Sequence, residues 1–337
     1  TTADIDNGST DNCSSVSLSL DVTTFTCANI GANTVTLTGV DASGNTSTVT
    51  ATVTVVDNTI PTITAPADIS VNVDAGSCVA AVSGVTLGSP TAADNCSVTT
   101  ANNASGNFVL GANTVTWTAT DGSGNTATAS QTVTVVDNIA PIVITQNVTV
   151  NLDASGNATI TTADIDNGST DNCSSVSLSL DVTTFTCANI GANTVTLTGV
   201  DASGNTSTST ATVTVQDVTA PTMSCQSVTV FLDATGNASV TTADIDGGST
   251  DNCGVTLTLS QTAFTCANLG GNTVTLTGTD ASGNTSTCTA TVTVVDAAAP
   301  IMVVQNVTVN LDASGNASIT TADIDNGSSD NCVLTLS

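Results

Sequence analysis

With no Lys, Arg, His, Tyr or Glu in the chain, its chemistry falls to 28 Asp and 11 Cys. The carboxylates come in clusters. Asp164, Asp166, Asp171 and Asn172 fall close together around Gly168, and the set returns at Asp4, Asp6 and Asp11, at Asp244, Asp246 and Asp251, and at Asp323, Asp325 and Asp330. Like charges this near repel unless something neutralises them. Calcium does so, drawing six to eight oxygens from carboxylates, amides and main-chain carbonyls, so these aspartates are expected to be metal ligands. The spacing D-x-D-N-G-S-T-D resembles the start of an EF-hand loop but lacks its distant Glu. The plainer alternative is a hydrated loop whose Asp and Asn side chains cap turns.

A second set, Asp57, Asp137, Asp217 and Asp296, closes a hydrophobic strand just before Pro61, Pro141, Pro221 and Pro300. These are expected to meet an acidic loop of the adjoining module at shared calcium sites, as in cadherin-like rods. The Asp-Ala-Ser-Gly-Asn turns starting at Asp41, Asp201 and Asp280 are weaker candidates, because such hairpins form without metal. Residues 58–137 provide an internal control: Ala92 and Ala93 stand before Asp94, the D-x-D is missing, and fewer ions are expected there.

Comparison of internal copies pairs the cysteines. Cys13 with Cys27, Cys173 with Cys187, and Cys253 with Cys266 recur at nearly constant spacing, and Cys78 with Cys96 is the variant pair. Cys225 is matched to Cys288 because equivalent positions lose both members together, as Ala65 with Ala129 and Thr145 with Ser209. Cys332 is left over. Its partner is expected past Ser337 in a longer chain, and a rival reading has Asn306 to Leu311 complete the module at Thr1 of another subunit by strand donation. Loops of about 14 residues should each contribute about 3 kcal/mol and require an oxidising compartment. Free thiols are the alternative. Without His or a C-x-x-C, metal binding by Cys is disfavoured, and without Lys there is no Lys-to-Asn isopeptide link.

A net charge of -28 with no cation excludes nucleic acid and anionic membrane as partners. It also removes the usual bases and nucleophile activators, so an enzyme is not expected. No apolar run is long enough to span a membrane.

The elements that carry these residues repeat about every 80 residues: TTADIDNGSTDNC at Thr1–Cys13 returns unchanged at Thr161–Cys173. This is a tandem array. Within one copy, alternating segments at Val148–Leu152, Ala158–Ile165, Val176–Leu180, Thr194–Val200 and Thr206–Val215 read as strands separated by Gly, Asn and Asp turns. No helical period is evident. The expected fold is all-β, made of immunoglobulin-like antiparallel sandwiches, with modules at 58–137, 138–217 and 218–296 and partial modules at 1–57 and 297–337. Short proline linkers predict end-to-end stacking as a stiff rod. Trp117 replaces Leu37, Leu197 and Leu276 and belongs in the core; Phe25, Phe185 and Phe264 should pack on disulfides.

The segments PTITAPADISVNVDAGSC (Pro61–Cys78), ADNC (Ala93–Cys96) and TDGSGNTATASQTVTVVDN (Thr120–Asn138) resemble the hyalin-repeat (HYR) module. The copies with LDASGNATITTADIDNGSTDNC resemble related repeats of giant secreted surface proteins of Bacteroidota. The resemblance implies an extracellular structural or adhesive setting and brings no common ligand. The expectation is therefore a disulfide-stapled, calcium-stiffened segment of an extracellular fibre or cell-surface adhesin, able to self-associate into filaments through Thr rows and edge strands. The alternative is a set of modules binding glycan or another surface through their loops; near-identical copies favour a spacer. Ice binding by Thr-x-Thr rows such as Thr34, Thr36 and Thr38 would need a flat exposed array. Sequons such as those at Asn147 and Asn306 allow glycosylation.

Overall fold

Val and Leu alternate with Thr along the paired strands Gly191–Val200 and Thr206–Gln216. This period of two buries one face and wets the other. The computed structural model, which describes residues 1–337, is all-β, with tandem sandwich modules of about 80 residues. It divides into two compact units. The first holds Thr1–Pro141 with the loops Asp171–Ser175 and Asp201–Asn205; the second holds Ile142–Thr170, Val176–Val200 and Thr206–Ser337. No helix is long and apolar enough to cross a membrane.

In the first unit, a four-stranded sheet runs in the order Ile69–Asn72, Thr126–Val136, Gly111–Asp121, Val98–Asn102. Two small ladders, Thr62–Thr64 with Thr91–Ala93 and Val79–Ala81 with Asn107–Val109, form the opposing layer. Phe108, Val115, Trp117, Val133 and Val135 fill the space between, and the Trp117 Nε1–H donates to the Oε1 of the fully buried Gln131. The N-terminal part of this unit is a three-stranded sheet, Ser17–Leu20, Gly31–Val40 and Thr46–Val55.

The second unit repeats the design twice. One sheet runs Val148–Asn151, Thr206–Gln216, Gly191–Val200, Ser177–Leu180, and the other Val228–Phe231, Thr285–Val295, Gly270–Thr279, Thr256–Leu259. Their cores centre on Phe185, Leu197 and Val213, and on Phe264, Leu276 and Val292. Each such side chain contributes roughly 1.5–3 kcal/mol by leaving water. Trp117, Phe185 and Phe264 are therefore core residues, and Phe185 and Phe264 share their clusters with Cys187, Cys253, Cys266 and Cys332.

Two local features depart from the sequence reading. The first strand of each complete sheet pairs in parallel with the last, as Val148 opposite Val213. The expected strand Ala158–Ile165 is a short strand, Asn157–Thr159, followed by one helical turn, Thr162–Ile165. That turn forms because Thr161 and Asp164 make a capping box: the Thr161 N–H and hydroxyl both donate to Asp164 Oδ2 at 2.7 Å.

The cysteine pairing is corrected in all but one case. The bridges are Cys27–Cys96, Cys78–Cys173, Cys187–Cys253, Cys225–Cys288 and Cys266–Cys332, and Cys13 is free and exposed. The expected pairs Cys13–Cys27, Cys78–Cys96, Cys173–Cys187 and Cys253–Cys266 do not form, and Cys332 has a partner within the chain. Sheet register gives the reason. Cys253 precedes Thr256, which lies opposite Thr279, whereas Cys266 precedes Gly270 at the other end of that same 10-residue strand. The two sulfurs thus stand about 30 Å apart along the strand, far beyond the reach of a disulfide. Each meets a neighbouring copy's cysteine instead. Cys225–Cys288 pairs as read from the sequence, and at the equivalent place Thr145 and Ser209 exchange a hydroxyl hydrogen bond of 3.1 Å.

Candidate metal centres at the module junctions

Three acidic sites are assembled, each from three separate segments: Asp57, Asp94 and Asp121; Asp137, Asp171 and Asp201; and Asp217, Asp251 and Asp280. In each, one carboxylate oxygen per residue lies within 4.8 Å of the others. The first two sites belong to the first compact unit and the third to the second.

The linker Asp enters first. Its Oδ1 accepts the N–H two residues on, from Thr59, Ile139 or Thr219, which turns the chain ahead of the proline. Its main-chain oxygen accepts from the side-chain amide of Asn125, Asn205 or Asn284 at 3.0–3.1 Å. These asparagines end the Asp-x-Ser-Gly-Asn turns, so the linker is tied to a hairpin of the following strands. Within that turn Asp201 Oδ1 accepts from the N–H groups of Ser203 and Asn205, and Oδ2 from the Asn205 amide. Burial pushes the Asp201 carboxyl up, but the hydrogen bonds from Asn205, Ser203 and Gly204 outweigh it and hold the group below the usual carboxylate range; Asp121 and Asp280 behave alike.

The Asp-Asn-Cys loop supplies the rest. Asp171 and Asp251 each accept the N–H of the following cysteine on Oδ2, at 2.9 and 2.8 Å. The Asn172 amide donates to Ser77 O, and those of Asn252 and Asn331 to Asp153 O and Asp233 O, so each loop is docked on a neighbouring hairpin.

After all these bonds, oxygens remain without a donor. Asp57 Oδ2, Asp137 Oδ2 and Asp217 Oδ2, Asp94 Oδ1, Asp171 Oδ1 and Asp251 Oδ1, and Asn172 Oδ1 and Asn252 Oδ1 are buried and unpartnered. Asp137 and Asp217 are only 8% and 5% exposed. An orphaned buried carboxylate oxygen costs several times a surface one. Three carboxylates at this spacing also repel by roughly 3 kcal/mol per pair at an effective dielectric of 20. The donor set is all oxygen, anionic and neutral together, which fits a hard divalent cation of calcium's size. Asp330 Oδ1 and Asn331 Oδ1 repeat the pattern of unpartnered oxygens.

The residues expected as ligands divide cleanly. Asp57, Asp137, Asp217, Asp171 and Asp251 lie in the clusters, while Asp4, Asp6, Asp164, Asp166, Asp244, Asp246, Asp323 and Asp325 do not. Asp164, Asp244 and Asp323 cap the helical turn, and Asp166 and Asp246 accept the N–H of Ser169 and Ser249 across the next turn. The D-x-D pair serves the turn in this structure and lies outside the three clusters. Asp11 caps the N–H groups of Cys13 and Ser14, and neither it nor Asp296 belongs to an assembled cluster. Residues 58–137, expected to hold fewer ions, supply Asp94 and Asp121 to a cluster with Asp57 without any D-x-D. The sequence marks Asp201 and Asp280 only as weaker candidates and does not mark Asp94 or Asp121; the signal lies in the recurring Asp-Asn-Cys and the Asp and Asn of the hairpin turn.

Residues 56–135 and 216–294 match the HYR domain family, so the chain contains HYR-like repeat modules in tandem. No curated protein matches it. Among solved structures it is similar to the protocadherin gamma B4 extracellular domain, with 17% identity and a TM-score of 0.32, covering 85% of this chain and 58% of that one. Mouse cadherin-23 EC22-24 gives 14% identity and 0.32, covering 70% and 99%. Sidekick-1 immunoglobulin domains 1-5 give 12% and 0.33, covering 81% and 68%. With scores this low, the fold rests on the chain's own strand pairing.

Proposed function

We propose that the chain is a structural, non-catalytic segment of an extracellular fibre or cell-surface adhesin, in which calcium and disulfides hold consecutive modules in fixed order. The modules of this reading are 58–137, 138–217 and 218–296, with partial modules at 1–57 and 297–337. One observation supports it most: four of the five bridges join a cysteine of one repeat to the Asp-Asn-Cys loop of the next, and three of those loops also bring their carboxylate to the linker aspartate. A chain that invests its covalent links and its buried charge between repeats is organised to transmit load or maintain spacing.

Asp137, Asp171, Asn172 and Asp201, with their equivalents, would hold the cation. When bound, it would neutralise the carboxylates and make the linker, hairpin and loop one rigid corner. Five bridges suit an oxidising compartment, consistent with export. Lateral association into filaments through the exposed Thr faces belongs to the same reading. Calorimetric melting of the oxidised chain in calcium and in chelator tests it. Calcium at about 100 times its dissociation constant should add about 2.7 kcal/mol per site whose unfolding is coupled; an unchanged transition would refute the calcium part.

A further inference from the structure

We infer that the disulfides form a continuous covalent bypass that makes the oxidised chain nearly inextensible: under tension, load runs through three short backbone segments and four bridges, and the rest of each sandwich lies outside the load path. The inference stands on bridge connectivity alone and is independent of the cation.

The bridges Cys27–Cys96 and Cys78–Cys173 close loops of 69 and 95 residues that overlap, because Cys78 lies inside the first loop. The bridges Cys187–Cys253 and Cys266–Cys332 each span 66 residues, and the intervening Cys225–Cys288 loop overlaps both. A pull applied outside Cys27 and Cys332 therefore has a short route. It crosses to Cys96, returns along about 18 residues to Cys78, crosses to Cys173, follows about 14 residues to Cys187, crosses to Cys253, follows about 13 residues to Cys266 and crosses to Cys332. The backbone between the same ends is about 305 residues long, so only about one residue in seven can be drawn out straight.

The short segments coincide with the spacing that looked like disulfide loops in the sequence. Cys173 to Cys187 and Cys253 to Cys266 are not closed by a bridge; each is the strap that carries the chain from the Asp-Asn-Cys end of a sandwich to its Cys-Ala-Asn end. A strap of 13 or 14 residues reaches at most about 50 Å when fully extended. The long strands of the same sandwiches, such as the 11 residues of Thr206–Gln216, already run about 36 Å. Even with every core hydrogen bond broken, a module can lengthen by roughly half. Without the bridges it could lengthen several-fold, since about 80 residues would reach about 270 Å.

The arrangement has a second consequence. Breaking the sheet hydrogen bonds of one sandwich releases only about 14 Å, against more than about 200 Å without the bridges, so little mechanical work is gained by unfolding and the folded state is favoured under load. Cys225–Cys288 lies off the shortest route and clamps the start of its module to the last strand, Thr285–Val295.

The test is single-molecule force extension of the full 337-residue chain held at its ends, before and after dithiothreitol. The oxidised chain should show no step near the 200 Å that one unbridged repeat would release, while the reduced chain should give such steps and approach its full contour. The variant Cys187→Ser with Cys253→Ser, otherwise oxidised, should regain a single long step of about 47 residues, because the shortest route then runs from Cys173 to Cys225, across to Cys288 and back to Cys266. Steps of about 180 Å per module in the oxidised wild type would mean that the bridges close the 14-residue segments instead, and would overturn the inference. If the double variant folds poorly, an aspartate-directed digest of the oxidised chain decides the matter: a disulfide-linked cluster of the Cys187 peptide, the peptide holding Cys253 and Cys266, and the Cys332 peptide supports the bypass, and a pair holding Cys173 and Cys187 refutes it.

Discussion

Two aspartates seven residues apart have opposite roles. Asp164 is satisfied by Thr161 and caps a turn; Asp171 has one oxygen on the Cys173 N–H and another with no donor. The equivalent Asp251→Asn should therefore behave in a way that simple destabilisation cannot mimic. In chelator it removes two of the three pairwise repulsions of its site and should raise stability; in calcium it should lose that site's share of the gain that the wild type shows. Asp244→Asn should leave the calcium effect intact. Paired melting curves of both variants, with and without calcium, check this. Acid gives an independent check. The Asp164, Asp244 and Asp323 carboxyls sit below their ordinary value of 3.8 because Thr161, Thr241 and Thr320 hydrogen-bond the charged form. A depressed folded value means the unfolded chain binds protons more readily, so this stability is complete above the ordinary value and lost as pH falls through the folded one. Urea melts in chelator should hold a constant midpoint from pH 7 to about 5 and then fall.

At the level of elements, the sheets were legible in the sequence and the links between them were not. Strict alternation in segments such as Thr206–Gln216 announces a half-buried strand, and Trp117 in place of Leu197 announces a core position. Constant cysteine spacing was misleading because a tandem array repeats every distance: 14 residues within a module and 66 between modules are equally regular, and only strand direction tells which pair can touch. The same ambiguity hid the acidic sites, whose three ligands come from a linker, a loop and a hairpin distant in sequence. Glycine shows how close the docking is. Gly236 has φ +74°, and a Cβ there would stand 2.7 Å from Asn331 O and 2.8 Å from Cys266 Sγ. Gly236→Ala should therefore loosen the docked Asp-Asn-Cys loop and speed reduction of Cys266–Cys332, whereas Gly283→Ala, with nothing within 4 Å of the added carbon, should strain its own turn and leave that bridge alone. Timed thiol trapping in mild reductant separates the two.

Over the whole molecule, ten of the eleven cysteines are bridged, eight of them between repeats, and aspartates both hold turns and gather at the three clusters. Denatured under non-reducing conditions, the chain should titrate one thiol, that of Cys13, and a count of three or more would contradict the bridge set. The central claim of the proposed reading is that the three clusters assembled from linker, hairpin and Asp-Asn-Cys loop are cation sites. Its most direct test is the stoichiometry of calcium bound to the oxidised chain by isothermal titration. The account predicts at least three ions, with the count falling by one in Asp251→Asn and unchanged in Asp244→Asn. Binding that is absent, or that is lost with Asp244 and retained without Asp251, would contradict it.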